Sequence, residues 1–205
     1  MPRPREYPDD LREQLLDSAA HLLATEGPAG LSTRRIAAQV GVSTTAIYRL
    51  WGSKPELVRA LFVEGFRRLG AHLAEVEPTD DPIADVRALG LAYHANGIEN
   101  PELYEVMFSC PVPGFEPSAA DAAFALGTLE VLIDAVARCV DAGLLPGPAD
   151  AVARRLWAVN HGVTSLEIQG MLGPSDEALE HLHAVLRATL AGLRSEVSPA
   201  PAPGR

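Results

Sequence analysis

Eight of the hydrogen-bond donors between residues 33 and 54 are candidates to bind phosphate oxygens or base edges. They are hydroxyls and cations, and no carboxylate interrupts the chain between Glu26 and Glu56. Such donors bind nucleic-acid backbones, and guanidinium groups also recognise guanine edges. The alternative is an ordinary helical corner with a solvated, hydroxyl-rich surface. The predicted DNA-binding residues are Thr33, Arg34, Ser43, Thr44, Thr45, Tyr48, Arg49 and Lys54.

The apolar residues in this stretch predict two short helices that meet at a sharp corner. One apolar stripe runs from Ile36 to Val40, and a second runs from Ala46 to Leu50. Gly41 lies between them, where a positive φ is cheapest for glycine. Ser32 or Thr33 can cap the first helix through its hydroxyl, and Ser43 can cap the second. This arrangement is a helix-turn-helix, in which the second helix presents the donors.

The segments LSTRRIAAQVGVS, TTAIYRLWGSK and PELVRAL resemble the DNA-binding domain of the TetR family of bacterial transcriptional regulators. The resemblance implies an all-α homodimer, with an N-terminal three-helix DNA-binding domain and a larger helical domain for ligand binding and dimerisation. It also implies that Thr33 and Lys54 hold the DNA backbone, while Thr44, Thr45, Tyr48 and Arg49 lie in or beside the major groove. Trp51 departs from the family, which more often has phenylalanine there.

A net charge of −10 is unfavourable for DNA binding, but the charge is unevenly distributed along the chain. Residues 1–70 contain ten Lys/Arg and eight Asp/Glu, whereas residues 71–205 contain seven and nineteen. DNA therefore attracts the first part and repels the second. No run of eighteen apolar residues occurs, and the first thirty residues lack a secretory segment, so we expect a cytoplasmic protein with no membrane partner.

Periodicity and chain-breaking residues predict helices throughout. We expect a flexible arm at 1–8, where Arg3 and Arg5 either reach DNA or belong to a solubilising tail. The predicted domains are a DNA-binding domain at 9–52, a connecting helix at 53–76, an effector and dimerisation domain at 77–196 and a disordered tail at 197–205. The later helices are predicted at about 82–99, 101–108, 118–142, 150–169 and 175–195, with a loop or lid at 110–117.

The last two helices are apolar on more than one side, which predicts burial on both sides. A second copy of the chain would supply the second surface and form a four-helix interface. The alternative is a core within one chain. A dimer would place its two recognition helices about 34–36 Å apart, or a multiple of that, on a palindromic operator. The predicted interface residues are Leu156, Val163, Leu179, Leu182, Leu186 and Leu190.

An apolar pocket with a few polar groups would suit a small hydrophobic effector. The segment LWAVNHGVTSLEIQG resembles a C-terminal variant of the family that has a tryptophan and then a His-Gly pair. We therefore expect a repressor that such an effector releases from DNA. The alternative is a DNA-binding regulator controlled by a protein partner or without an effector. The predicted pocket residues are Tyr104, Met107, Phe108, Trp157, Asn160, His161 and Met171.

Enzymatic motifs are weak in this chain. Glu180 and His183 form one Glu-x-x-His pair, but a di-metal bundle site needs two such pairs. Cys110 and Cys139 lack the spacing of zinc ligands, and the glycine patterns of nucleophile elbows and phosphate loops are missing from the sequence. We expect no metal, no cofactor and no catalysis, with a helical enzyme as the remote alternative.

Overall fold

The computed structural model describes residues 9–109 and 112–197. Within these ranges the chain forms nine α-helices and no strand, which confirms the all-α class. The predicted arm at 1–8, Cys110 and residues 198–205 of the predicted tail lie outside the described residues. The helices are α1 Asp9–Gly30, α2 Thr33–Val40, α3 Thr44–Trp51, α4 Lys54–Ala74, α5 Pro82–Glu99, α6 Pro101–Ser109, α7 Ala119–Asp141, α8 Ala149–Ile168 and α9 Ser175–Ser195.

The ends of the first four helices follow from local chemistry, with one correction. The regular part of α1 ends at Gly27, whose φ of 70° kinks the chain before Pro28. Ser53 caps α4, since its hydroxyl accepts a hydrogen bond from the Glu56 N–H at 3.3 Å. The predicted side-chain caps of α2 and α3 were wrong. Ser32 and Ser43 hold the N-cap positions with extended backbones, but neither makes a side-chain cap hydrogen bond.

Residue contacts divide the chain into two compact units. Unit 1 contains the residues up to Arg67 together with Asn100–Phe124, and unit 2 contains Arg68–Glu99 and the residues from Ala125 onward. This division differs from the predicted boundaries, because α6 packs on α1. Contacts between distant segments cannot be derived from local periodicity, so the sequence placed α6 with the C-terminal domain.

Aliphatic side chains of the first four helices, together with Leu31, form much of the core of unit 1. α1 packs on α2, and α2 packs on α3. Each fully buried leucine or isoleucine contributes about 1.5–3 kcal/mol relative to exposure. The side chains of this core with at most 2% exposure include Leu15, Leu16, Leu22, Leu23, Leu31, Ile36, Ile47, Leu57 and Leu61.

Unit 2 is built around α8, which packs against α5 on one side and α9 on another. Leucines of α9 and the α8 residues Val152, Ala153 and Leu156 are buried, and Val136 and Cys139 of α7 are fully buried. The α5 and α8 helices additionally bury polar residues, including His94, Asn96, Asn160 and Thr164. Buried polar groups lower stability unless they are hydrogen-bonded, so their pairing matters for function.

Candidate nucleic-acid interface

The corner between α2 and α3 has the backbone geometry that the sequence predicted. Gly41 adopts φ 78° and ψ 29°, and the Val42 N–H donates to the Ala37 carbonyl at 2.8 Å. Addition of a Cβ at Gly41 would meet no atom within 4 Å, so the positive φ alone explains the glycine. Ala37 and Ile47 are buried on either side of the corner, which fixes the angle between the two helices.

We call the eight predicted DNA-binding residues the donor face. Thr45 and Arg49 are exposed, Tyr48 is 51% exposed and Thr44 is half-buried. Ser43 is also exposed, and its hydroxyl is not used as a cap. The donor face contains Thr33, Arg34, Ser43, Thr44, Thr45, Tyr48, Arg49 and Lys54.

Tyr48 is oriented by α2. Its hydroxyl lies 3.4 Å from the Thr33 hydroxyl, and either oxygen can donate. This contact joins the first residue of α2 to the middle of α3. Both hydroxyls stay at the surface, where each retains further capacity for a phosphate oxygen.

The cations of this region fall into two groups. Within the described residues, Arg34 and Arg49 make no hydrogen bond or ion pair. The Lys54 ammonium donates to the Pro28 carbonyl at 3.3 Å, a neutral partner that leaves its charge intact. Arg35, by contrast, forms a two-point ion pair with Glu26. Sequence reasoning missed this pair, because nine residues and a kink separate the two side chains.

The first turns of α4 are tied to the start of α7 by ionic contacts within unit 1. The Arg59 guanidinium donates to both Asp121 carboxylate oxygens at 2.8 and 2.7 Å, and the Ser118 hydroxyl donates to the same carboxylate at 2.6 Å. These donors lower the pKa of Asp121 to about 2. Further along α4, the buried carboxylate of Glu64 accepts from Arg67 at 2.7 and 2.8 Å.

Three residues of the predicted effector pocket fill the interior of unit 1. The Tyr104 ring lies 4.8 Å from Phe108, which packs edge-on against Phe66 at 5.8 Å. Met107 is buried against Gly65, where an added Cβ would lie 2.5 Å from the methionine Cγ. This close approach explains why α4 has a glycine at that position.

The other predicted pocket residues lie in unit 2. The Trp157 indole N–H donates to the Tyr93 hydroxyl at 3.4 Å, and that hydroxyl lies 2.9 Å from His161 Nδ1. Burial lowers the pKa of His161, which favours the neutral imidazole. Met171 is 67% exposed beyond the end of α8.

Asn160 has the one buried side-chain atom of the described residues that lacks a hydrogen-bond partner. Its amide donates to the Gly90 carbonyl at 2.8 Å, whereas its Oδ1 accepts from no group of the chain. An unpaired buried acceptor costs about 1–3 kcal/mol. A ligand or a water molecule that donates to Oδ1 would recover that free energy.

Most of the predicted interface residues belong to the chain's own core. Leu156, Leu182, Leu186 and Leu190 are at most 5% exposed within one chain, so they have almost no surface to offer a partner. The prediction assigned them to an interface because periodicity shows that a helix side is buried, but not by which chain. Val163 is half-buried and Leu179 is 39% exposed, so only these two of the six can reach a partner surface.

The helix pair at a glycine corner and its exposed donors define a helix-turn-helix DNA-binding protein. Residues 15–61 match the family described as bacterial regulatory proteins, tetR family. Residues 86–194, more than half of the chain, match the tetracyclin repressor-like C-terminal domain. The chain therefore belongs to the TetR family, and it is a DNA-binding transcriptional regulator rather than an enzyme.

Relatives and solved structures agree with this assignment. An HTH-type transcriptional regulator of Mycobacterium tuberculosis is 26% identical over 201 residues, covering 82% of this chain and 85% of the relative. A solved protein of unknown function from Rhodococcus sp. RHA1 is 29% identical, with a TM-score of 0.75 over 94% of this chain and 100% of that one. The TetR family regulator PfmR from Thermus thermophilus has the same fold, with 20% identity and a TM-score of 0.68 over 85% and 97% of the chains. Among the described residues, none of the helices is long and apolar enough to cross a bilayer.

Proposed function

We propose that this regulator is a repressor that binds a palindromic operator as a homodimer and leaves it when a small hydrophobic effector binds. The donor face is the observation that carries the proposal. Six of its eight residues are exposed, Thr33 and Thr44 are half-buried, and none of the eight is a carboxylate. An operator lies on the bacterial chromosome, so we assign the protein to the cytoplasm.

Within the donor face, position suggests a division of roles. Thr45 and Arg49 lie on the exposed side of α3, the helix that enters the major groove in this motif. We assign them to base edges. Thr33, Arg34 and Lys54 lie at the starts of α2 and α4, where they can bind phosphates, and Tyr48 joins them through its contact with Thr33.

The dimer interface is proposed on the outer faces of α8 and α9. Leu166, Met171 and Leu179 are the exposed large apolar side chains near the junction of these helices, at 41%, 67% and 39% exposure. At Gly162, between Ala158 and Leu166 on α8, an added Cβ would meet no atom within 4 Å, which indicates an open surface. A second copy could therefore approach closely along this side.

We place the effector in unit 2, beside Tyr93, Trp157 and His161. Two aromatic rings and a neutral imidazole form an amphipathic wall, and the unpaired Oδ1 of Asn160 is a nearby acceptor on α8. The favoured effector is an apolar molecule that carries a hydrogen-bond donor. Tyr104, Met107 and Phe108 are proposed to act as unit 1 core instead of touching it.

The α4 helix is the proposed link between effector and operator. It carries Lys54 at its first residue and contributes residues to both units. A change in its tilt would alter the separation of the two recognition helices. Coupling of about 1–3 kcal/mol changes affinity roughly 5- to 150-fold, which is sufficient to release an operator.

Selection of binding sites from random duplex DNA tests the operator. We expect enrichment of a palindrome whose half-sites are one helical turn apart, or a multiple of that. Enrichment of an asymmetric site, or of no site, would contradict binding as a symmetric dimer. Substitution Leu166→Glu should yield a monomer in sedimentation, whereas Leu126→Glu, at another exposed leucine on α7, should leave the dimer intact.

Titration of apolar compounds against the operator complex tests the effector. We expect at least one compound to lower operator affinity and to quench the fluorescence of Trp157, while Trp157→Phe abolishes the quenching. If compounds that bind the protein leave operator affinity unchanged, the repressor is controlled by a protein partner or without an effector.

A further inference from the structure

Arg35 differs from the other cations near the donor face. Its Nη2 donates to Glu26 Oε1 at 2.5 Å, and its Nη1 donates to Glu26 Oε2. The neighbouring Arg34 makes no such contact within the described residues. Two adjacent arginines on one short helix are therefore both positively charged, but only the charge of Arg35 is paired with a carboxylate.

The ion pair spans the point where the chain turns from α1 into α2. Glu26 is the residue before the Gly27 kink, and Arg35 is the third residue of α2. A two-point contact between a planar guanidinium and a carboxylate fixes orientation as well as distance. The pair thus limits rotation of α2 about its own axis, and with it the direction of Thr33 and Arg34.

The ion pair is half-exposed, so it adds little stability, and its main effect is to neutralise the charge of Arg35. The Glu26 side chain is 41% exposed and the Arg35 side chain is 49% exposed, a setting in which ion pairs stabilise proteins little. The hydrogen bonds from Arg35 lower the pKa of Glu26, so the carboxylate is ionised at neutral pH. A DNA phosphate can gain Arg35 only by displacing this carboxylate.

We propose that Glu26 keeps Arg35 from binding DNA phosphates, so that Arg35 acts as a positioning residue for α2. Counterion release then comes from Arg34, Arg49 and Lys54. The consequence is selectivity for the operator over other DNA, because a cation that stays paired with a carboxylate adds nothing to sequence-independent affinity. This inference rests on the proposed operator binding, and it adds a control on nonspecific binding.

The dependence of DNA affinity on salt concentration distinguishes a cation that is paired with a carboxylate from one that contacts a DNA phosphate. Each phosphate neutralised by a cation adds about 0.9 to the slope of log K against log salt concentration. Binding to a nonspecific duplex is measured at several salt concentrations for the native dimer and three variants. Arg34→Gln should flatten the slope by about 0.9 for each protomer in contact, and Arg35→Gln should leave it unchanged. Glu26→Gln should steepen it by about the same 0.9, because the released Arg35 can reach a phosphate.

Charge exchange provides the matched control. The double variant Glu26→Arg with Arg35→Glu restores an ion pair across the kink and should keep the native slope. On the operator, Arg35→Gln should lose roughly two- to fivefold in affinity through misorientation of α2, in line with a surface ion pair. The double variant should recover that loss. Circular dichroism of each variant serves as the control for folding, and the spectra should match that of the native protein.

Two results would overturn the inference. One is a slope for Arg35→Gln as flat as that for Arg34→Gln, which would make Arg35 a phosphate contact. The other is a native slope for Glu26→Gln, which would show that Glu26 masks nothing. Either result would leave operator binding intact, whereas failure of the native protein to bind any duplex would remove the proposed function itself.

Discussion

The donor face and the α5–α8 contact both concentrate polar side chains, but they satisfy these groups in opposite ways. On the donor face, Arg34 and Arg49 have no partner in the described chain and stay in water. Between α5 and α8, Tyr93 binds His161, His94 binds Glu167 at 2.5 Å and Asn160 binds Gly90. Exposed donors cost folding little and remain available to DNA, whereas buried groups must pair within the protein. The first arrangement suits a surface for a large anion, and the second suits an interior that a small ligand can perturb.

The largest expected effect lies in the buried region. Glu167→Ala removes the partner of His94, whose ring is 9% exposed. Loss of the hydrogen bond would leave the buried His94 nitrogen without a partner, which costs about 1–3 kcal/mol of folding free energy. Chemical denaturation should show this loss, while Arg49→Ala, on the donor face, should unfold like the native protein. Equal stability of both variants would show that the buried pairing between α5 and α8 contributes no more to folding than the exposed donor face does.

The next effect concerns operator recognition. Arg49→Ala should lower affinity for the selected operator by about 1–3 kcal/mol and relax the preference at one base pair of each half-site. Binding to a set of operators with single base changes measures this relaxation. If the variant loses the same affinity for every duplex, Arg49 binds phosphate and the base-reading role is wrong.

A smaller effect is expected at the corner that orients the donor face. Gly41→Ala places a side chain at φ 78°, a strain of about 1–2 kcal/mol. Gly192→Ala is the control, because this helical glycine of α9 also has open space around an added Cβ, and alanine should stabilise the helix by about 0.5–1 kcal/mol. Thermal unfolding of both variants should therefore shift in opposite directions.

The last effect is a pH dependence that arises at the link between α4 and α7. The pKa of Asp121 is about 2 in the folded protein, against 3.8 for the free group. Because the folded value is the lower one, Asp121 stabilises the protein above about pH 4, and this contribution disappears as the pH falls towards 2. Asp121→Asn should show a shallower loss of stability in that range. If stability falls equally with pH in the native protein and in the variant, Asp121 is not the source of this pH dependence.

Local chemistry made much of the donor face predictable. A positive φ at Gly41 and buried positions at Ala37 and Ile47 follow from residue type and helical spacing, since both act over a few residues. The helix bounds after residue 80 were also predicted closely, because proline and glycine interrupt the chain at those points. The side-chain caps at Ser32 and Ser43 failed, as a capping residue type does not guarantee its hydrogen bond.

The sequence alone determined the helical class, the corner at Gly41 and the set of donors from Thr33 to Lys54, because these depend on neighbours along the chain. The tertiary structure decided which buried surfaces belong to one chain, as at Leu182 and Leu186, and which residues pair across distance. The Glu26–Arg35 and Arg59–Asp121 contacts are of this second kind. Their partners meet only after helices pack, and apolar burial over the whole unit sets that packing.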